Sequence, residues 1–186
     1  MENKKYKFIV FEGIDGSGKS TVSRYLAREI HAKLYTTPPP GFKSTRRKFD
    51  SFVKLPSRFL FYLSSVAYAS EEIKKLLQKR HVVCDRYIAS TLAYHKALGV
   101  KLNWDLEQLN LVKPDFTFFL EINNEQERVR RLKERNFYTS TDALLNDNEI
   151  REKLMNEYRK FPMISIDTSL LSAEEVVNTI RNKVNL

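Results

Sequence analysis

The sequence predicts a three-layer α/β fold built on a mainly parallel sheet. Two patterns carry that expectation. Short apolar runs rich in β-formers alternate with stretches of helical periodicity along the whole chain. The first of those runs leads directly into Gly13-x4-Gly18-Lys19-Ser20, a phosphate-cradling P-loop with a strand before it and a helical segment after it. At 186 residues the chain is long enough for one domain, 1–186, with a sizeable core.

Taken in order, Phe8–Phe11 reads as the first strand and Lys19–His31 as the first helix, with Val22, Leu26 and Ile30 on one stripe. Leu34–Thr36 is a second strand. Thr37-Pro38-Pro39-Pro40-Gly41 follows and can be neither helix nor central strand. This stiff loop sits at a strand's carboxyl end, where open parallel sheets bind ligands, so it is either a wall of a second binding site or a plain rigid turn. Pro56–Lys79 reads as one long helix. Its core stripe is Phe59, Tyr62, Leu63, Val66, Ser70, Ile73 and Leu77, leaving Arg58, Phe61, Ser65, Tyr68 and Glu72 on the other side. Aromatics beside an arginine suit a nucleobase joined to a phosphate, or a packed neighbour.

His81–Cys84 is the third strand, with Asp85-Arg86-Tyr87 at its tip. Ile88–Leu98 is a helix carrying Thr91 and Tyr94 on one face. Phe116–Leu120 is the fourth strand. Asn124–Arg135 is a helix with Arg128, Arg131 and Arg135 in one stripe, and the polar segment beyond it suits a mobile lid over about 135–147. Asp147–Lys160 is helical, Met163–Ile166 is the fifth strand, and Ser172 with Glu175 forms a capping box for the last helix.

The chemistry follows from these placements. Gly13, Ile14, Asp15, Gly16, Ser17, Gly18, Lys19, Ser20 and Thr21 form the candidate nucleoside-triphosphate cradle. Glycines let the backbone aim several N–H groups at one phosphate chain, and the helix N-terminus adds positive potential. Lys19 would reach the β- and γ-phosphates. Ser20 would ligate Mg²⁺, with Asp85 holding the metal or its water. Arg86 can clamp a second phosphate in a bidentate fork.

Composition excludes several classes. No apolar run approaches the ~20 residues of a membrane span. The first strand begins too soon for a signal peptide, which points to the cytoplasm. The single cysteine, Cys84, lies in an apolar run and reads as core filler. The formal net charge of +9 is scattered rather than clustered, which argues for polyphosphate handling over nucleic-acid binding. A guanine-reading N-K-x-D motif is missing, so a GTP switch is disfavoured.

FIVFEGIDGSGKST, DRYIASTLAY, KPDFTFFLEI and the ending IDTSLLSAEEV together resemble the thymidylate kinase family of P-loop nucleoside monophosphate kinases. The resemblance covers nearly the whole chain. It implies a five-stranded parallel sheet, Mg²⁺, commonly a homodimer, and transfer of the ATP γ-phosphoryl group to a pyrimidine nucleoside monophosphate, dTMP first. By position it implies that Asp15 sits where donor, acceptor and metal meet, that Phe61 stacks on the pyrimidine, and that Arg86 holds the acceptor phosphate. Thr91 would touch the base and Tyr94 the sugar, while Thr168 and Ser169 would fall beside the adenine. Some members carry an arginine after the P-loop acid. Here that residue is Gly16, so the catalytic arginine should come from Arg131 or Arg135. Two departures bear on the acceptor. The prolines replace the family's T-R-E-P-G-G, and Ser65 stands where an arginine usually reads the thymine edge. The segment from Arg47-Lys48 through FYLSSVAYASEEI is closer to the UMP/CMP-kinase-like branch, so UMP, CMP, dUMP or dCMP is the alternative acceptor. The nearest rival activity is a nucleoside kinase, in which Arg86 would have no acceptor phosphate to hold.

Overall fold

The structure is a computed structural model and describes residues 5–52, 54–101, 106–135 and 144–184. In chain order the elements are β1 (Phe8–Glu12), α1 (Lys19–Glu29), β2 (Lys33–Thr36), α2 (Lys43–Phe52), α3 (Leu55–Leu76), β3 (Val82–Asp85), α4 (Ile88–Ala97), β4 (Phe116–Glu121), α5 (Glu125–Glu134), α6 (Asn148–Tyr158), β5 (Ile164–Asp167) and α7 (Ala173–Val184). The five strands form one parallel sheet, as expected, and their order is β2-β3-β1-β4-β5.

Strand β1 is central and every residue of it is buried, which is why it reads as a continuous apolar run. Its side chains alternate between the two faces. Ile9 and Phe11 pack with Val22 and Leu26 of α1 and Val176 and Ile180 of α7. Phe8 and Val10 pack with Val66, Ala69 and Ile73 of α3 on the other face. Cys84 is fully buried among the latter group, as core filler should be. These are the three layers. Among the described residues, no helix is long and apolar enough to cross a membrane.

Helix termini follow local chemistry. Asn124 and Asp147 cap α5 and α6 through their side-chain oxygens. Ser172 and Glu175 close the expected capping box, with Ser172 Oγ accepting from the Glu175 N–H at 3.2 Å and Glu175 Oε2 accepting from the Ser172 N–H at 2.8 Å. One reading needs correction: residues 43–52, given no element from sequence, form α2. Arg128, of the arginine stripe on α5, is fully buried beneath the P-loop and paired with Glu125 at 2.7 Å. The lid expected over 135–147 lies largely outside the described residues.

Candidate active site

The sheet register sets the site. Phe11 pairs with Asp85, so the β1 tip that launches the P-loop lies beside the β3 tip. The loop closes tightly over its neighbours. A Cβ on Gly13, whose φ is +144°, would lie 2.5 Å from the Leu120 carbonyl oxygen. Gly16, with φ +92°, rests on Arg128, and a Cβ there would come within 2.7 Å of that side chain.

Lys19 is buried and its Nζ donates to the Ile14 carbonyl at 2.6 Å. Burial, and then the Arg86 charge, pull its pKa down to about 8. Ser20 Oγ donates to Asp85 Oδ2 at 2.5 Å. Asp85 Oδ1 is buried and makes no hydrogen bond.

Arg86 is the hub. Its backbone adopts φ +68°, rare for a side chain with a Cβ. Nη2 donates to Asp15 Oδ1 at 2.5 Å, and Nη1 donates to the Gly13 carbonyl and to Ser90 Oγ, both at 3.0 Å. The guanidinium lies over the Tyr94 ring, 5.3 Å from its centroid. Burial alone would raise the Asp15 pKa, but the charges of Arg86, Lys19 and Arg135 outweigh it and hold the carboxyl below its ordinary range. Behind this hub lies a buried network that sequence reasoning missed. Glu12 accepts from the Tyr87 N–H at 2.9 Å and pairs with Ser90, whose hydroxyl also meets Tyr158 at 2.9 Å. Burial pushes the Glu12 carboxyl pKa up. An acidic residue inside an apolar strand was its only sequence signal.

Two cavities open on either side of the P-loop. The first is lined by Ser17, Gly18, Thr21, Arg131, Thr168 and Ser169. Arg131 Nη2 donates to the Thr168 carbonyl at 2.6 Å, and Ser169 Oγ accepts the Asn123 N–H at 2.9 Å, so the loop after β5 is tied to α5 and β4. The second holds Asp15, Arg58, Asp85, Arg86, Thr91 and Tyr94, together with Arg135. The stiff proline loop contributes Thr37 and Pro38 to its wall. The structure thus separates the two candidate arginines, placing Arg131 in the first cavity and Arg135 in the second.

Two expected acceptor residues are not in the second cavity. Phe61 is 9% exposed, stacks on Phe49 of α2 at 4.4 Å and lines neither cavity. Ser65 is fully buried and its hydroxyl donates to the Tyr62 carbonyl at 2.7 Å. Tyr62, assigned to the core stripe from periodicity, lines the cavity instead, with Arg46, Asp50 and His95. The cause is that the buried side of α3 is broad, taking in Phe59, Phe61, Leu63, Ser65 and Val66, while Leu60 and Tyr68 are exposed, so apolar spacing does not single out the cavity-lining face. Arg46 and Asp50 went unnoticed because α2 did.

This fold and these paired cavities define a P-loop nucleotide kinase. The family model for thymidylate kinase matches residues 11–180. A probable thymidylate kinase of Methanocaldococcus jannaschii is 34% identical over 180 residues, 93% of each chain. A thymidylate kinase structure from Candida albicans superposes with a TM-score of 0.76 at 21% identity, covering 97% of this chain and 91% of that one. A deoxyadenosine kinase structure from M. mycoides shares the fold with a TM-score of 0.70 at 18% identity, covering 97% and 100%. The chain belongs to the thymidylate kinase family, and it is a nucleoside monophosphate kinase, a phosphotransferase.

Proposed function

We propose that this protein transfers the γ-phosphoryl group of ATP to dTMP, with 1–186 acting as one catalytic unit. The observation that carries the reading is the Arg86–Asp15 pair, which lines the second cavity where the P-loop meets the β3 tip. ATP lies with its adenine by Thr168 and Ser169, its phosphates in the Gly13–Thr21 loop, and Lys19 on the β- and γ-oxygens. The acceptor phosphate displaces part of the Arg86 network, and the guanidinium clamps it in line with the γ-phosphoryl group. Thr91 and Tyr94 flank the acceptor nucleoside. Arg135, in the second cavity and close enough to Asp15 to lower its pKa, neutralises the transferring group, whereas Arg131 lines the first cavity.

Mg²⁺ belongs to this reading. A hard cation takes oxygen ligands, and the Ser20 hydroxyl with the unpartnered Asp85 Oδ1 supplies them. When bound, the ion neutralises phosphate charge. The reading also includes a homodimer in the cytoplasm, and light scattering of the purified chain tests the dimer.

A coupled ADP-release assay across dTMP, dUMP, UMP, CMP and dCMP tests the activity. We expect turnover with dTMP above the other four. Failure with all five acceptors would overturn the proposal.

A further inference from the structure

The second cavity contains groups for which phosphoryl transfer has no use. His95 is 3% exposed and lines that cavity. Its Nδ1 lies 2.7 Å from the Thr91 carbonyl oxygen. A carbonyl only accepts, so Nδ1 carries the proton and Nε2 carries a lone pair. Nε2 is buried and makes no hydrogen bond. A buried acceptor of this kind needs a donor, and the described residues do not supply one.

The position suits a base. Arg86 stands just before α4, and His95 lies seven residues into that helix, about 10 Å along its axis. That separation is comparable with the reach of a sugar and base from a phosphate held at Arg86. Arg58 lines the same cavity from α3 and makes no side-chain hydrogen bond or ion pair with a described residue. Its charge lies near enough to His95 to oppose protonation, in the same direction as burial. The other polar groups nearby are already engaged with one another. Tyr62 OH donates to Asp50 Oδ1 at 2.7 Å, and Arg46 Nε bonds both Asp50 and Tyr62. That knot holds the Tyr62 ring against His95, with centroids 5.4 Å apart.

We propose that His95 and Arg58 are the specificity-determining residues for the base, with His95 Nε2 accepting a ring N–H and Arg58 donating to the adjacent carbonyl. That pair is complementary to the N3–H and C4=O edge of thymine or uracil. Cytosine presents an acceptor at N3, so its lone pair would face that of His95. The selection is therefore for the keto pyrimidines and against cytosine. This rests on the second cavity being the acceptor site.

The test is kcat/KM for dTMP, dCMP and N3-methyl-dTMP. For the wild-type enzyme we expect dTMP to be preferred over dCMP by about 100-fold, mainly through KM, because one side would leave buried polar groups unpaired. N3-methyl-dTMP should be poorer than dTMP by at least ~10-fold. His95→Gln can turn either its oxygen or its amide group to the base. It should lower kcat/KM for dTMP, raise it for dCMP, and narrow their ratio at least ~10-fold. The methylated substrate reads the same contact in unaltered protein, so a poorly folding variant does not decide the matter. Equal use of dTMP and dCMP by the wild-type enzyme, or a dTMP:dCMP ratio unchanged by His95→Gln, overturns the inference while leaving the kinase intact. Absence of turnover with any monophosphate overturns the kinase reading itself.

Discussion

Arg86 concentrates the chemistry in one side chain. It joins Asp15, Gly13 and Ser90, and it holds a backbone angle that the surrounding Glu12–Ser90–Tyr158 network has to impose. Arg86→Ala should lower kcat/KM for dTMP by about 10²–10³-fold with little change in the KM for ATP. Near-normal turnover in that variant would point to a nucleoside acceptor instead. His95 makes a separate prediction for stability. Burial, reinforced by Arg58, lowers its pKa from 6.5 to about 4 in the folded chain. As pH falls, the unfolded chain therefore takes up the proton first. The contribution is whole above pH ~6.5 and drains away toward pH ~4, costing about 2 kcal/mol by pH 5. Melting temperatures at pH 7 and pH 5 should differ less in His95→Gln than in the wild type, and equal differences would refute the assignment.

At the scale of elements, the β1–P-loop–α1 unit was readable because its requirements are local. A strand, a tight glycine turn and a helix start are encoded within fourteen consecutive residues, Phe8–Thr21. Gly13 also has a tertiary constraint, the Leu120 carbonyl on the neighbouring strand. Gly13→Ala should destabilise the fold by about 2–4 kcal/mol, measured as a lower denaturant midpoint at unchanged slope. At the other end of the chain, Ser172→Ala removes the capping-box acceptor from α7. It should cost about 1 kcal/mol in a thermal melt with no change in KM for either substrate. Helix α3 was harder to read. One residue's step rotates a helix by about 100°, so mistaking which flank meets the cavity exchanges Phe61 for Tyr62. Phe61 and Tyr62 are both aromatic, and the difference lies in α2, whose Phe49 covers Phe61.

For the whole molecule, the strand order matters most. β3 lies beside β1, although some 70 residues separate them, and this brings Asp85 to Ser20. Asp85→Asn should therefore raise the Mg²⁺ concentration needed for half-maximal turnover by about tenfold, while the KM for dTMP at saturating metal changes little. Titration of activity against free Mg²⁺ measures this, and an unchanged requirement would remove Asp85 from the metal site.

The sequence by itself determined the three-layer class, the parallel sheet, the P-loop and the identities of Asp85 and Arg86. Each is written in adjacent residues or in a short period that local backbone geometry enforces. Only the tertiary structure decided which residues line the helical end of the second cavity. Arg46, Arg58, Tyr62 and His95 come from three helices, and nothing in their spacing records how those helices converge. The same holds for the separation of Arg131 from Arg135. They stand four residues apart, Arg131 in the last turn of α5 and Arg135 at its C-cap, and the two cavities give them different surroundings.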